Sequence, residues 1–583
     1  MSSQTSQGNI SSQIFQDNIS SQISQDNMSS QLSFDCLNKI LECLEEDKVT
    51  LHSCLLVNRL WFRVSVEILW KNIWNFKCID SQPHDLDFSL KIFKTLISFL
   101  PNESIDFLYE NGISIPTPTL KSPLLNYISF IKVVSISHLI VGNVSYNKIL
   151  NGDSTKNCLI AQEILKMFMK QIYSLKKLVY CLVEDSRDDN VSSYFQHVSN
   201  FISFPGAENC LNNLSELRCG SDINTEFFHQ LTQLCHNIHS LRIHFCCISK
   251  ELEDLIFSQK SLKSLSFIKH GADYYGYGQY GDYFYYDDNI DNDSGDDKGD
   301  DDTDDNDNDD DDDDDGVYVY TYSINLDDFR RNANINVNDI NDVNDDDNDS
   351  DDDDDGDHHH KNLNDKDWPK IASLLTIHSN TLTNLLLEYR NADFKELQHI
   401  AFPQLRILKL VLCPDVNMLI RFLEINGRNL KEFYVNKCDN SLNLAIAEFC
   451  PNLKSLHTLF PKNEIEVLKI IFESCQQLES FLGICGNAFL GGKKLFEAVV
   501  KYSPESFREL KLHSHIKLGS KDLQSFFTGW KRRIPRNPVS LIISEDSFKI
   551  DIKTGEMIAN YRNLGIIKKF ETDHDFFINM YNL

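Results

Sequence analysis

The residues whose types and spacing could support chemistry fall into a few groups. Gly276, Gly278 and Gly281 form G-x-G-x-x-G soon after the strand-like Leu265-Ser266-Phe267. Such glycines let the backbone approach a pyrophosphate, provided that a helix opens at the third and aims its N–H groups at the phosphate. Asp282, Tyr283, Phe284, Tyr285 and Tyr286 follow instead, inside low complexity, so no dinucleotide site is expected. Asp311, Asp313, Asp315 and Gly316, and again Asp351, Asp353, Asp355 and Gly356, copy the first half of a calcium loop. The closing bidentate Glu is missing, since the twelfth positions are Tyr322 and Asn362. His358, His359 and His360 could add affinity for transition metals, although a solvated polar tract is the simpler reading. The 16 cysteines include no C-x-x-C pair, which argues against a zinc site or a disulfide framework. There is no G-x-S-x-G, H-E-x-x-H or P-loop, and Lys531-Arg532-Arg533 is too short to act as a nuclear signal. The expectation is a protein without catalytic residues, cofactor or metal.

Charge narrows the partners. The 583 residues carry 56 Lys and Arg against 87 Asp and Glu, a net of −31. Residues 271–360 hold 35 of the acids and only three bases (Lys298, Arg330 and Arg331). The remainder, with 53 bases and 52 acids, is close to neutral, so neither nucleic acid nor an anionic membrane is an expected partner. The first residues are Ser, Gln and Asn with no apolar signal region, and no apolar run approaches the length of a spanning helix. Reduced, buried thiols and a cytoplasmic and/or nuclear location follow as expectations.

Elements that could position a binding surface begin at Leu32. Before it, Ser2–Ile10, Ser11–Ile19 and Ser20–Met28 repeat S-S-Q-x-x-Q-x-N-[IM], and polar nonapeptides cannot bury a face, so 1–31 is expected to be a disordered arm. Leu37, Ile40, Leu41 and Leu44 then read as one stripe of an amphipathic helix, and Val57, Trp61, Val64 and Ile68 as a second. Leu51, Leu55 and Leu56 add more apolar surface than a unit of about 45 residues can hide, which points to a docking module.

Residues 32–76, LSFDCLNKILECLEEDKVTLHSCLLVNRLWFRVSVEILWKNIWNF, resemble the F-box, through L-x-x-I-L-x-x-L, the Leu55–Trp61 core LLVNRLW, and Leu69-Trp70. The resemblance implies a three-helix motif that binds the small adaptor of Skp-cullin-F-box ubiquitin ligases, and through it cullin. The positions it marks for adaptor binding, some of them internal core, are Leu32, Leu37, Ile40, Leu44, Leu55, Leu56, Val57 and Trp61. The family usually has Pro where this chain has Ser33, so the first anchor of that contact departs from the pattern.

Farther on, L-x-x-L-x-[LIVFC] recurs. Its second apolar position falls at Leu217, Leu241 and Leu265, then at Leu385, Leu408, Phe433, Leu456 and Phe481, with looser copies at Leu178, Leu510 and Leu541. Steps of 23 to 25 residues are the leucine-rich-repeat signature: a short strand, then often a helical face such as Leu252, Leu255 and Ile256 or Ile465, Leu468 and Phe472. Cys235, Cys450 and Cys475 lie three residues before the first apolar position of their repeats, and Cys246, Cys413 and Cys438 three after the last. Both are places where a small weak donor can be buried beside turning backbone. The arrangement resembles the cysteine-containing repeats that accompany F-boxes in one branch of substrate receptors. From Leu265 to Leu385 the step is 120, one period plus an insertion that the acidic segment nearly fills; a solenoid tolerates such a loop because closure entropy grows slowly with length.

The expected fold class is α/β, a three-helix F-box followed by a leucine-rich-repeat solenoid interrupted by a disordered acidic insert. The expected organisation is a disordered arm (1–31), an F-box (32–77), a mainly helical connector (78–170), repeats (171–270), a disordered Asp-rich insert (271–362), and further repeats with a C-terminal cap (363–583). The resemblance implies the substrate-recognition subunit of a Skp-cullin-F-box ligase, binding a protein for ubiquitination. The alternative is a repeat scaffold whose degenerate F-box recruits no ligase. A third reading makes the acidic insert itself functional, as a calcium buffer or a nucleic-acid mimic.

Overall fold

The computed structural model describes residues 33–74, 85–115, 125–140, 154–181, 198–269, 367–388 and 394–573, apart from 46, 114, 199, 463, 487–488, 515–517, 535–536, 545–546 and 549. The chain divides into two units, residues 1–274 with 363–583, and residues 275–362. The second unit lies outside the described residues, as do the Ser/Gln/Asn arm, the glycine and aspartate motifs and the His358–His360 run.

One 13-stranded sheet organises the first unit, with strands in chain order and every neighbour parallel. The strands are β1 (Val133–Ser135), β2 (Lys177–Tyr180), β3 (Glu216–Gly220), β4 (Ser240–Phe245), β5 (Ser264–Lys269), β6 (Asn384–Leu387) and β7 (Ile407–Leu410). They continue as β8 (Glu432–Cys438), β9 (Ser455–Leu459), β10 (Ser480–Cys485), β11 (Glu509–Ser514), β12 (Val539–Ser544) and β13 (Ile567–Asp573). The periodic positions form a single ladder: Leu178, Leu217, Leu241 and Leu265 pair in sequence. It runs on from Leu265 to Leu385 and through Leu408, Phe433, Leu456, Phe481, Leu510 and Leu541. Because β5 pairs directly with β6, the sheet continues across the 120-residue step.

Ladder residues point to one side of the sheet and are buried there against helices returning between strands. Leu252, Leu255 and Ile256, and Leu468 and Phe472, are buried, with Ile465 packed at the margin. A single apolar core therefore runs under the sheet. The segment expected to be a helical connector also contributes β1, whose Val134 opens the ladder, and Phe570 of β13 closes it.

The cysteines divide. Cys235 and Cys475 are buried, and each thiol donates to a carbonyl of the preceding repeat, Leu211 at 3.2 Å and Cys450 at 3.4 Å. Burial pushes the Cys235 and Cys475 thiols up to about 12, so they stay protonated donors rather than thiolates. The second set is less enclosed than expected: Cys413 and Cys438 are half-buried and Cys246 is exposed. That position follows the strand, where the chain turns away from the core. Gln259, Asn426 and His378 occupy places comparable to the first set. Gln259 donates to the Cys235 carbonyl, Asn426 to that of Ile400, and the His378 ring bonds the carbonyl of Ile256. Buried polar side chains thus satisfy backbone groups where helix turns into strand.

Candidate partner-docking site

Three short helices form the N-terminal unit: α1 (Phe34–Glu42), α2 (Lys48–Cys54) and α3 (Arg59–Lys71). Each is started by a side chain. Ser33 Oγ accepts from Cys36 N at 3.3 Å, Asp47 Oδ1 from Thr50 N at 3.0 Å, and Asn58 Oδ1 from the amides of Leu60 and Trp61, both at 3.0 Å. The serine that departs from the family's proline is therefore a helix cap. At Asp47 the Thr50 hydroxyl and amide both stabilise the carboxylate, holding its pKa below the ordinary value.

The residues singled out in this segment separate into core and surface. Leu37 is buried with Leu41, Leu51, Cys54, Val64 and Ile68, while Leu44 and Trp61 pack at the edge of that cluster. Ile40 is 48 % exposed, Leu56 84 % and Val57 57 %, whereas Leu55 is half-buried. Leu32 lies outside the described residues. Two stripes read from sequence need correcting. Ile40 does not share the buried face of Leu37 and Leu41, which are four apart and stack one turn above the other. Val57 precedes the cap Asn58, so it lies in the turn before α3 and does not share the helical face of Val64 and Ile68. Sequence reading also passed over Phe34 and Val49, further exposed apolar residues of this unit. Asp47 and Asn58 were recoverable from a general signal, a short polar side chain immediately before helical residues.

The unit is fastened to the sheet through α3. Lys71 pairs with Glu45 at 2.8 Å, and its carbonyl accepts from Lys132 N just before β1. Trp70 stacks on Tyr127 with ring centres 5.0 Å apart and meets Phe99 edge-on, while Trp74 Nε1 donates to the Val133 carbonyl in β1 at 3.1 Å. These contacts fix the exposed apolar residues of α1 and the α2–α3 turn relative to the start of the repeats.

The sheet face opposite the helices has two characters. Arg218 and Arg242 pair across β3 and β4, and Lys409 stands in the equivalent row on β7 beside Tyr434. The buried Lys409 ammonium lies 4.6 Å from the Tyr434 ring centre, and desolvation lowers its pKa to about 8 against the opposing attraction of Glu432. Toward β12 the face turns apolar, with Tyr434, Leu459, Leu482, Ile484, Phe489 and Ile542 forming a cluster separate from the main core. Within this cluster, flanked by Tyr434 and Leu482, sits His457, whose Nδ1 bonds the Leu482 carbonyl at 3.0 Å while its Nε2 has no partner among the described residues. Burial holds this imidazole neutral, with its pKa lowered to about 4.

Among the described residues, no group of three or more His, Cys, Asp or Glu could hold a metal, and no helix is long and apolar enough to cross a membrane. No family model matches the chain, and no curated protein matches it. A solved structure, the Rad7 and Elc1 complex of yeast, is similar at a TM-score of 0.38 and 11 % identity, over 82 % of this chain and 86 % of that one.

Proposed function

We propose that this chain is the substrate-recognition subunit of a Skp-cullin-F-box ubiquitin ligase. The observation that carries the reading is the N-terminal unit, whose own core is complete while Ile40, Leu56 and Val57 remain in solvent. Burying a side chain such as Leu56 against a partner is worth about 1.5–3 kcal/mol, and this surface coincides with the segment that resembles an F-box. The adaptor would cover these residues, and the repeats, fastened through Trp70 and Trp74, would hold a protein near the ubiquitin-charged enzyme. Isopeptide formation would belong to other subunits, in the cytosol or nucleus, and this chain would supply proximity.

Co-expression of the full chain with a Skp-type adaptor tests the reading by size-exclusion chromatography. A stoichiometric complex lost in Leu56→Asp/Val57→Asp, with unchanged thermal stability, supports it. Failure of folded wild-type protein to bind the adaptor would sink it and leave a repeat scaffold.

A further inference from the structure

A second apolar surface runs along the array, far in sequence from the N-terminal unit. Eight residues before the ladder position, four consecutive repeats place Phe257, Ile377, Ile400 and Ile425. The repeats on either side carry Gln233 and Glu448 there. Phe257 is 62 % exposed, Ile377 50 % and Ile425 43 %, and Ile400 is half-buried. Three of them lie at or next to the ends of helices Lys250–Ser258, Trp368–Ile377 and Val416–Asn426. The bond from His378 to the Ile256 carbonyl joins the chain segments that carry the first two, and the bond from Asn426 to the Ile400 carbonyl joins those that carry the last two.

The same edge is basic. From each of these residues to the start of the following strand, the four connections contain five Lys or Arg and no Asp or Glu. Lys263, Arg406 and Lys431, two residues before the ladder, form no ion pair among the described residues, Arg406 donating to the Asn429 carbonyl at 3.0 Å, whereas Lys454 of the next repeat is paired with Glu479 at 2.7 Å. The apolar row is one side chain wide, and packed helices step by roughly 8–10 Å. Seven residues of an α-helix advance about 10.5 Å, so a helix with apolar residues seven apart steps by a distance close to the upper end of that range.

We infer that the edge of these four repeats docks an amphipathic helix of a partner protein, seating heptad-spaced apolar side chains on Phe257, Ile377, Ile400 and Ile425 and acidic flanking residues on Lys263, Arg406 and Lys431. The surface is distinct from Ile40, Leu56 and Val57, so it stands whether or not the chain recruits an adaptor.

The test is fluorescence anisotropy on the full chain with two labelled helical peptides, both with heptad-spaced Leu, one flanked by Glu and the other by Lys. Wild type binds the Glu peptide at least about tenfold more tightly than the Lys peptide. Phe257→Gln/Ile377→Gln/Ile425→Glu, which installs residues of the kind the neighbouring repeats carry, weakens it by about tenfold or more without moving the melting temperature. Lys263→Glu/Arg406→Glu/Lys431→Glu reverses the preference. Equal binding of both peptides, or full binding by the stripe variant, overturns the inference. Sedimentation with phosphatidylserine vesicles, or a dimer in light scattering, lost in the stripe variant would overturn it in favour of a membrane or a second copy.

Discussion

The N-terminal unit and the repeat array solve the same problem with opposite outcomes. Both are built from short elements that cannot fold alone, but the array stacks each repeat on the next, so the ladder from Leu178 to Leu541 is buried at every position. The three-helix unit closes its core with about half a dozen residues, and among the described residues nothing stacks on what remains, so Ile40, Val49, Leu56 and Val57 are exposed. Repetition hides apolar surface; a unit that ends displays it. Some apolar side chains of the array also stay outside, and the row on the outer edge of four repeats is a recurring set of them, placed at or near helix ends.

Variants can break or sharpen this contrast. Phe481→Ala, in the middle of the ladder, removes a fully buried ring and should cost about 3–5 kcal/mol of unfolding free energy, read by denaturant titration. A loss under about 1 kcal/mol would mean that neighbouring repeats do not share one core.

His457 gives the array a pH dependence. Its folded pKa of about 4 lies below the ordinary 6.5, so between these values the unfolded chain binds more protons. Stability from this group is full above about pH 6.5 and is lost as the pH falls toward 4, by on the order of 3 kcal/mol. His457→Gln keeps a donor for the Leu482 carbonyl but does not titrate, and melting temperatures at pH 7 and pH 4.5 should converge in that variant. An unchanged difference between the two pH values would place the effect elsewhere.

Smaller effects belong to the N-terminal unit. Asn58→Ala leaves the amides of Leu60 and Trp61 without their shared acceptor and should lower stability by about 1 kcal/mol, seen as earlier loss of helical circular dichroism. Leu56→Asp should change stability least, within roughly 0.5 kcal/mol, because the side chain is already in solvent, while abolishing the adaptor binding proposed above. A large stability loss at Leu56 would show that it is part of the core and erase the difference between the two regions.

Much of the array was legible from spacing. A strand exposes alternate residues to one side, and a repeat must bury that side in every copy, so the period and the apolar type together mark Leu217, Leu241 and Leu265 and carry the count over the insertion to Leu385. The ends were not legible. β1 is only Val133–Ser135, and β13 reads IKKFETD with Phe570 as its ladder residue, because a terminal strand packs on one neighbour and needs fewer apolar positions.

In the N-terminal unit, composition marked a segment with surplus apolar surface but did not sort it. Leu37 and Ile40 sit three apart and look equivalent in a helical pattern, yet one is in the core and the other in water, and only the directions from which α2 and α3 approach make that choice. The row of Phe257, Ile377, Ile400 and Ile425 shows the same division. Their phase within the repeat is written in the sequence, but residues separated by as much as 168 positions become neighbours only when the sheet places repeat against repeat. Sequence alone determined the period and which residues must be buried in each copy, because burial is a local requirement repeated along the chain. Tertiary structure decided which apolar residues stay outside and what they stand beside, because that depends on the packing of elements distant in sequence.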